Sequence, residues 1–232
     1  MKTNPGEFSV PSRSPQNQMT QHNETIIHSN DTAIRTEEAQ RRRGDDRIAF
    51  LKGFLREPKG VGSIIPSSPQ MERRLARVAR LATAGSVVEL GPGTGGTTRS
   101  FLRAMPPGAS LMAIELDAMF ADHVRRSVHD SRLIVHQGSA EAIGEALASY
   151  RMPAPQAVIS GIPFSTMPVD VGRRIIEAVR DVLAPGGCFV AYQFRDAVAR
   201  LATPILGEPD CDELELVNIP PMHVYRWLKR AN

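Results

Sequence analysis

A chain of 232 residues, 41% apolar but only 5% aromatic, has the length for one domain with an aliphatic core plus additional segments. Its two cysteines, Cys188 and Cys211, lie outside any C-x-x-C pair, which argues against a zinc or disulfide framework and for a reducing cytoplasmic setting. Met1-Lys2-Thr3-Asn4-Pro5 lacks the apolar run of a secretory signal, and no stretch reaches the ~18 uncharged apolar residues of a membrane span.

The net charge of +3 is unevenly placed: residues 47–80 alone carry eight Lys/Arg against Glu57 and Glu72. Such a local excess implies an anionic partner surface. Before it, residues 1–45 are rich in Ser, Thr, Asn, Gln and Pro with no apolar period, and read as a disordered leader. The segment from Arg47 to Arg56 then has a helical pattern. Ile48, Leu51 and Leu55 share a face flanked by Phe50 and Phe54, with Arg47, Lys52 and Arg56 on or beside the polar side, and Pro58 stops it. Two readings stand: a helix lying in a membrane interface, or a stripe packed on the domain. Val61 to Pro66, containing Ile64, is a mostly apolar loop. Ser67-Ser68-Pro69 starts the next helix, with Ser68 as N-cap and Pro69 in the first turn, and that helix is expected to run to about Leu81.

From there strand and helix alternate. Strands are expected near 86–90, 110–115, 132–136, 156–161 and 187–194, and helices near 96–105, 117–129, 140–149, 168–184 and 195–202. The alternation predicts an α/β fold, a doubly wound, mostly parallel sheet. Leu214–Asn218 and His223–Leu228, flanking Ile219-Pro220-Pro221-Met222, add a terminal antiparallel hairpin and bring the sheet to seven strands.

The chemistry begins at Glu89-Leu90-Gly91-Pro92-Gly93-Thr94-Gly95-Gly96. A glycine-rich turn between a buried strand and a helix lets a ligand lie on bare backbone at the carboxyl edge of the sheet. Gly91, Gly93 and Gly96 also satisfy the dinucleotide fingerprint. Glu89 decides between the two, because a carboxylate there repels a pyrophosphate and attracts a cation. S-adenosylmethionine carries an ammonium and a sulfonium and no phosphate, so the charge favours that cofactor. Glu115, at the end of the second strand and 24 residues after Gly91, suits an acceptor for two ribose hydroxyls. Asp117 reads as a helix cap. Ser139, next to Ala140 after the third strand, either contacts an adenine or caps the following helix. The fourth strand ends in Ser160-Gly161-Ile162-Pro163-Phe164, where donor methyl and acceptor should meet; a packed loop beneath the cofactor is the other reading. His223 and Tyr225 are conceivable proton acceptors that sequence alone does not place.

Residues Phe50–Pro58, Val61–Ser68, Glu89–Gly95 and Ser160–Pro163 together resemble the small bacterial phospholipid N-methyltransferases. The resemblance runs from about residue 47 to 229 and implies a class I methyltransferase domain over 83–232, preceded by a basic helical segment over 46–82. It implies stepwise methylation of a phosphatidylethanolamine amine, with an ornithine-lipid or other amine-lipid acceptor left open because related enzymes share the scaffold, and with S-adenosylmethionine as donor and no metal. It also implies peripheral docking on the inner membrane face through anionic lipid. Phe50, Lys52, Phe54, Arg56, Ile64, Ser67 and Ser68 would then meet the membrane and substrate. Glu89, Gly91, Pro92, Gly93, Thr94, Gly95, Glu115, Ser139 and Ala140 would hold the cofactor, and Ser160, Ile162, Pro163 and Phe164 would line the reacting centre. Arg73, Arg74 and Arg77 are expected to draw anionic lipid. Ribosomal RNA adenine dimethyltransferases share the scaffold but carry Asn-Leu-Pro-Tyr-like loops and a helical C-terminal domain, so nucleic acid is the disfavoured partner. A noncatalytic lipid-surface protein that retains the pocket is the rival from another class.

Overall fold

The computed structural model describes residues 67–217 and 221–230. The leader, the helix expected over 47–57 with Phe50, Lys52, Phe54 and Arg56, and the loop with Ile64 lie outside the described residues. The described residues all fall within the unit Leu51–Asn232.

Helix α1 (Pro69–Val78) starts as the sequence predicts: the Ser68 hydroxyl accepts from the Met71 amide at 3.1 Å and Pro69 occupies the first turn. It stops three residues short of the expected end because Arg80 turns left-handed (φ 55°), which delivers Leu81 into the core at 0% exposure. Strand β1 (Ser86–Leu90), α2 (Gly96–Ala104), β2 (Ser110–Glu115), α3 (Ala118–Ser127), β3 (Leu133–Gln137), α4 (Ile143–Ser149), β4 (Ala157–Ser160), α5 (Val169–Val182), β5 (Cys188–Gln193) and α6 (Ala197–Leu206) follow, then β6 (Cys211–Glu215) and β7 (Met222–Leu228). The sheet order is β3-β2-β1-β4-β5-β7-β6, with β7 antiparallel to both neighbours and the other pairings parallel. This is the expected seven-stranded α/β architecture with a terminal antiparallel hairpin.

Both faces of the sheet are covered, as parallel strands require. On one face Val87, Leu111, Ala157, Ile159 and Val190 pack with Met71 and Leu75 of α1, Phe101 of α2 and Val124 of α3. On the other, Val88, Leu90, Ile114, Val158 and Phe189 pack with helices α4 to α6 and the β7 aromatics Tyr225 and Trp227. Helix α1 therefore belongs to the same core as the sheet.

Two further elements depart from expectation. The helix expected to end at 202 continues through Pro204 and is terminated by Gly207 at φ 86°. Strand β6 begins at Cys211 rather than Leu214 and ends before Leu216 and Val217, which are 68% and 59% exposed. Apolar content pointed to Leu214–Asn218, but ionic pairing sets the register. Arg74 of α1 donates to Glu215 at 2.8 Å and also pairs with Glu213, which accepts from Arg77 at 2.7 Å. The expectation that Arg74 and Arg77 draw anionic lipid is corrected by the same bonds, since both guanidiniums are paired with carboxylates of their own chain.

Arg74→Ala takes the guanidinium from Glu215, which is 4% exposed, and leaves it the Val217 amide donating at 3.1 Å. A loss of about 1–3 kcal/mol is expected in urea unfolding. Arg77→Ala, at a side chain 63% exposed, should cost under about 1 kcal/mol.

Candidate active site

The turn after β1 is built by backbone conformations that side chains disfavour. Gly91 (φ 75°) leaves the strand with its amide still bonded to the Ile114 carbonyl at 3.0 Å, and Gly95 (φ 78°) is the left-handed N-cap of α2. A side chain on Gly91 would lie 3.2 Å from Ile162 Cγ1, so this glycine lets the turn and the loop after β4 approach each other. Pro92 and Gly95 are buried while Thr94 is exposed.

Glu89 does not open toward solvent at the mouth of this turn. It is 2% exposed beneath it, where one carboxylate oxygen accepts from the Thr97 hydroxyl and the other from the Thr98 hydroxyl at 2.6 Å. Burial pushes its pKa up to about 7, against the pull of those two hydroxyls and with further upward help from Glu115. Near neutrality the carboxyl is thus poised between charged and neutral.

Tyr192 of β5 completes this buried group, and no motif in the sequence marks it. Burial raises its phenol pKa, Glu89 acts in the same direction, and the side chains of Thr97 and Ser67 hydrogen-bond to it. Its hydroxyl fills the space that a side chain on Gly161 would occupy, with Cζ 2.9 Å from that position. Strand alternation was the available signal, since Cys188, Val190 and Tyr192 face the same side as α1 and α2.

At the end of β2, Glu115 is 6% exposed. One oxygen accepts from the Gly93 amide at 3.1 Å and the other from the Asp117 amide at 3.0 Å. Burial raises its pKa, opposed by these amides and that of Leu116. Each oxygen retains a lone pair, so the carboxylate can still accept two hydroxyls. Asp117 caps α3 by accepting from the Met119 and Phe120 amides. Ser139 likewise caps: it accepts from the Glu141 amide at 3.2 Å and donates to the Glu141 carboxylate at 3.3 Å, next to buried Ala140.

The loop after β4 divides its candidates. Ser160 is fully buried and accepts from the Ile162 amide at 3.3 Å, and Phe164 is 2% exposed within the core beneath α5 and α6. For these two the packed-loop reading describes the geometry. Ile162 and Pro163 are half-buried, and Gln193 fixes the loop by donating to the Ile162 carbonyl at 2.7 Å. Ser67 hydrogen-bonds to Tyr192, while Ser68 is engaged as the cap of α1. His223 pairs with Asp212 at 3.0 Å and stacks on Tyr225, on a strand separated from β4 by β5. Among the described residues, no three His, Cys, Asp or Glu side chains gather as a metal site.

Known proteins resemble this chain in sequence and fold. The methyltransferase-domain family profile matches residues 87–187. An ornithine lipid N-methyltransferase of Singulisphaera acidiphila is 30% identical over 145 residues, 62% of this chain and 76% of that protein. The chain belongs to the class I S-adenosylmethionine-dependent methyltransferases. S-adenosylmethionine is accordingly the methyl donor. A ribosomal RNA small subunit methyltransferase A of Caulobacter vibrioides is 35% identical over 95 residues, which span 40% of this chain and 34% of that one. The N-methyltransferase NodS of Bradyrhizobium japonicum, solved with S-adenosyl-L-homocysteine, shares the fold at a TM-score of 0.59 and 15% identity, over 77% of this chain and 97% of that one.

Proposed function

We propose that this methyltransferase acts on the amine of a phospholipid headgroup, phosphatidylethanolamine and its methylated forms, at the inner membrane surface. The observation that carries the reading is the likeness to the ornithine lipid enzyme over three quarters of that protein's length. It is supported by the Ser160–Pro163 loop and by the cluster of Arg47, Lys52, Arg56 and Lys59. Among the described residues no helix is long and apolar enough to cross a membrane. Docking therefore falls to surface features.

The residues present fit the donor. Glu115 has lone pairs for the two ribose hydroxyls, and Ser139 with Ala140 borders the adenine side. The backbone of Gly91, Gly93 and Gly95, with Pro92 and Thr94 between them, offers the cradle for the methionine portion. Glu89 beneath it supplies negative charge. Bound there, S-adenosylmethionine supplies an electrophilic methyl. Transfer to an amine would need the nitrogen, the methyl carbon and the sulfur in line. Ile162 and Pro163 shape the slot that aligns the three atoms, so that proximity rather than acid chemistry carries the rate. The ammonium must first shed a proton, which a dry slot favours by desolvation.

An RNA adenine acceptor is the second reading, favoured by the likeness to the ribosomal RNA enzyme. Against it, Ser160 replaces an amide side chain that grips an exocyclic amine at two points, and Phe164 is not free to stack on a base. A radiolabelled methyl assay on total lipid and total RNA tests both. Label is expected in the lipid fraction, in a species that migrates as N-methylated phosphatidylethanolamine. Label confined to RNA selects the second reading, and none in either selects the noncatalytic binder.

A further inference from the structure

Seven large apolar side chains are exposed among the described residues: Met119, Tyr150, Val169, Phe194, Leu214, Leu216 and Val217. All but Tyr150 lie at one edge of the sheet. Met119 is the second residue of α3, after β2; Val169 opens α5, after β4; Phe194 follows β5 directly; Leu214, Leu216 and Val217 close β6. Because β6 runs parallel to β5 across the reversed β7, these are all carboxyl ends of strands. The donor turn and the Ile162–Pro163 loop sit at the same edge. Five strand spacings separate β2 from β6, so the apolar points span about 24 Å around the mouth of the site.

We infer that this rim is the face that enters the bilayer, with Phe194, Leu214, Leu216 and Val217 as its main anchors. The inference rests on the lipid reading above and locates where the lipid surface meets the site. Three observations select a bilayer over a protein partner. The six apolar side chains are spread over four separate connections, three of them where β6 ends, and a soft hydrocarbon surface accepts spread points where a protein interface needs a contiguous core. Arg195 lies exposed beside Phe194 and forms no ion pair among the described residues, placing a cation next to an aromatic anchor at headgroup level. Neighbouring acids are paired within the fold: Asp196 with Arg200 at 3.0 Å, Asp170 with Arg174 at 2.9 Å and Glu215 with Arg74 at 2.8 Å, while Asp212 is hydrogen-bonded to His223 at 3.0 Å. Asp117 is bonded to the α3 amides. A water-insoluble substrate gives the rim its purpose, since an amine tethered to its lipid reaches the methyl only if the membrane surface comes to this edge.

The test uses the full chain, vesicles of phosphatidylethanolamine with phosphatidylglycerol, and dispersed short-chain phosphatidylethanolamine. A variant carrying F194S, L214S, L216S and V217S is expected to lose at least tenfold in vesicle partitioning and in methylation of vesicle lipid. It should stay within about twofold of the parent on the dispersed lipid. Independently, V217W is expected to show blue-shifted emission and quenching by acyl-chain-brominated lipid on vesicles, against a background of Trp227, which is 1% exposed. Unchanged partitioning of the serine variant, or V217W emission that stays solvent-like on bound vesicles, overturns the inference. A change of oligomeric state without a change in partitioning overturns it too and assigns the rim to a protein contact. Failure of the parent to methylate any amine lipid, with V217W emission still quenched, strikes the substrate reading and leaves the docking face standing.

Discussion

Glu89→Gln is expected to weaken S-adenosylmethionine binding by two to three orders of magnitude in calorimetry and to erase its pH dependence. The free protein holds this carboxyl at a pKa of about 7 because it is buried. A sulfonium and an ammonium arriving above it favour the ionised form, so the bound-state pKa must fall. Affinity in the parent then climbs as pH rises through 7 and levels off above it, and binding near pH 7 releases a proton, read as a heat that varies with the ionisation enthalpy of the buffer. A charge–charge interaction at 4–6 Å in a medium of effective dielectric constant near 20 amounts to about 3–4 kcal/mol, which sets the expected loss.

The same carboxyl leaves a signature on the protein without ligand. Its folded-state pKa lies above the ordinary 4.5, so its stabilising contribution is complete below that value and is lost as pH rises through 7. Between pH 5 and 8 the parent should lose on the order of 3 kcal/mol relative to Glu89→Gln. Glutamine keeps an oxygen and an amide for Thr97 and Thr98 and so separates charge from shape. Glu89→Ala removes both, taking the acceptor from the buried Thr98 hydroxyl and leaving Thr97 its bond to Tyr192. Equal affinity and parallel pH curves for parent and Glu89→Gln would sink the electrostatic account of the site.

Local chemistry explains what could be read from the chain. The Val87-Val88 run into a glycine turn marks β1. The Ser68-Pro69 pair marks the start of α1, and Asp117 its own cap, each because a side chain or ring acts on backbone within three residues. The carboxyl position of Glu115 follows from strand length. Partners distant in sequence explain what was hidden. Strand β6 takes its register from Arg74, 139 residues from Glu213, a pairing no window of sequence contains. Phe164 reads as part of the reacting centre until α5 and α6 fold over it. Glu89 reads as an open charge, yet Thr97 and Thr98 cover it once α2 begins. Tyr192 looks like an ordinary strand residue until Gly161, on a neighbouring strand end, makes room for its hydroxyl. Local signals therefore specify the frame and the donor turn, while tertiary contacts settle which side chains are free to act.

Gly161 is the point where that tertiary logic is sharpest, and Gly161→Ala should damage catalysis more than cofactor binding. The added methyl would sit 2.9 Å from Tyr192 Cζ and closer still to the phenol oxygen, with the Gly91 carbonyl at 3.5 Å on another side. Either the ring withdraws from Thr97 and Ser67, or the Ile162–Pro163 loop lifts away from the turn that carries the methyl donor. Overpacking of this kind costs about 1–3 kcal/mol. A displaced loop also misaligns acceptor and donor, so kcat is expected to fall at least tenfold while S-adenosylmethionine affinity changes less than threefold. Tyr192→Phe alone removes the phenol from Thr97 and Ser67, at about 1 kcal/mol. In the double variant the missing hydroxyl removes the shortest contact and leaves the one to Cζ at 2.9 Å, so part of the clash is relieved and the combined penalty should be less than the sum of the two. Urea unfolding and steady-state kinetics on all four proteins close the cycle. Simple additivity would mean that the alanine acts elsewhere and that the Tyr192 hydroxyl does not hold the acceptor loop at its working distance.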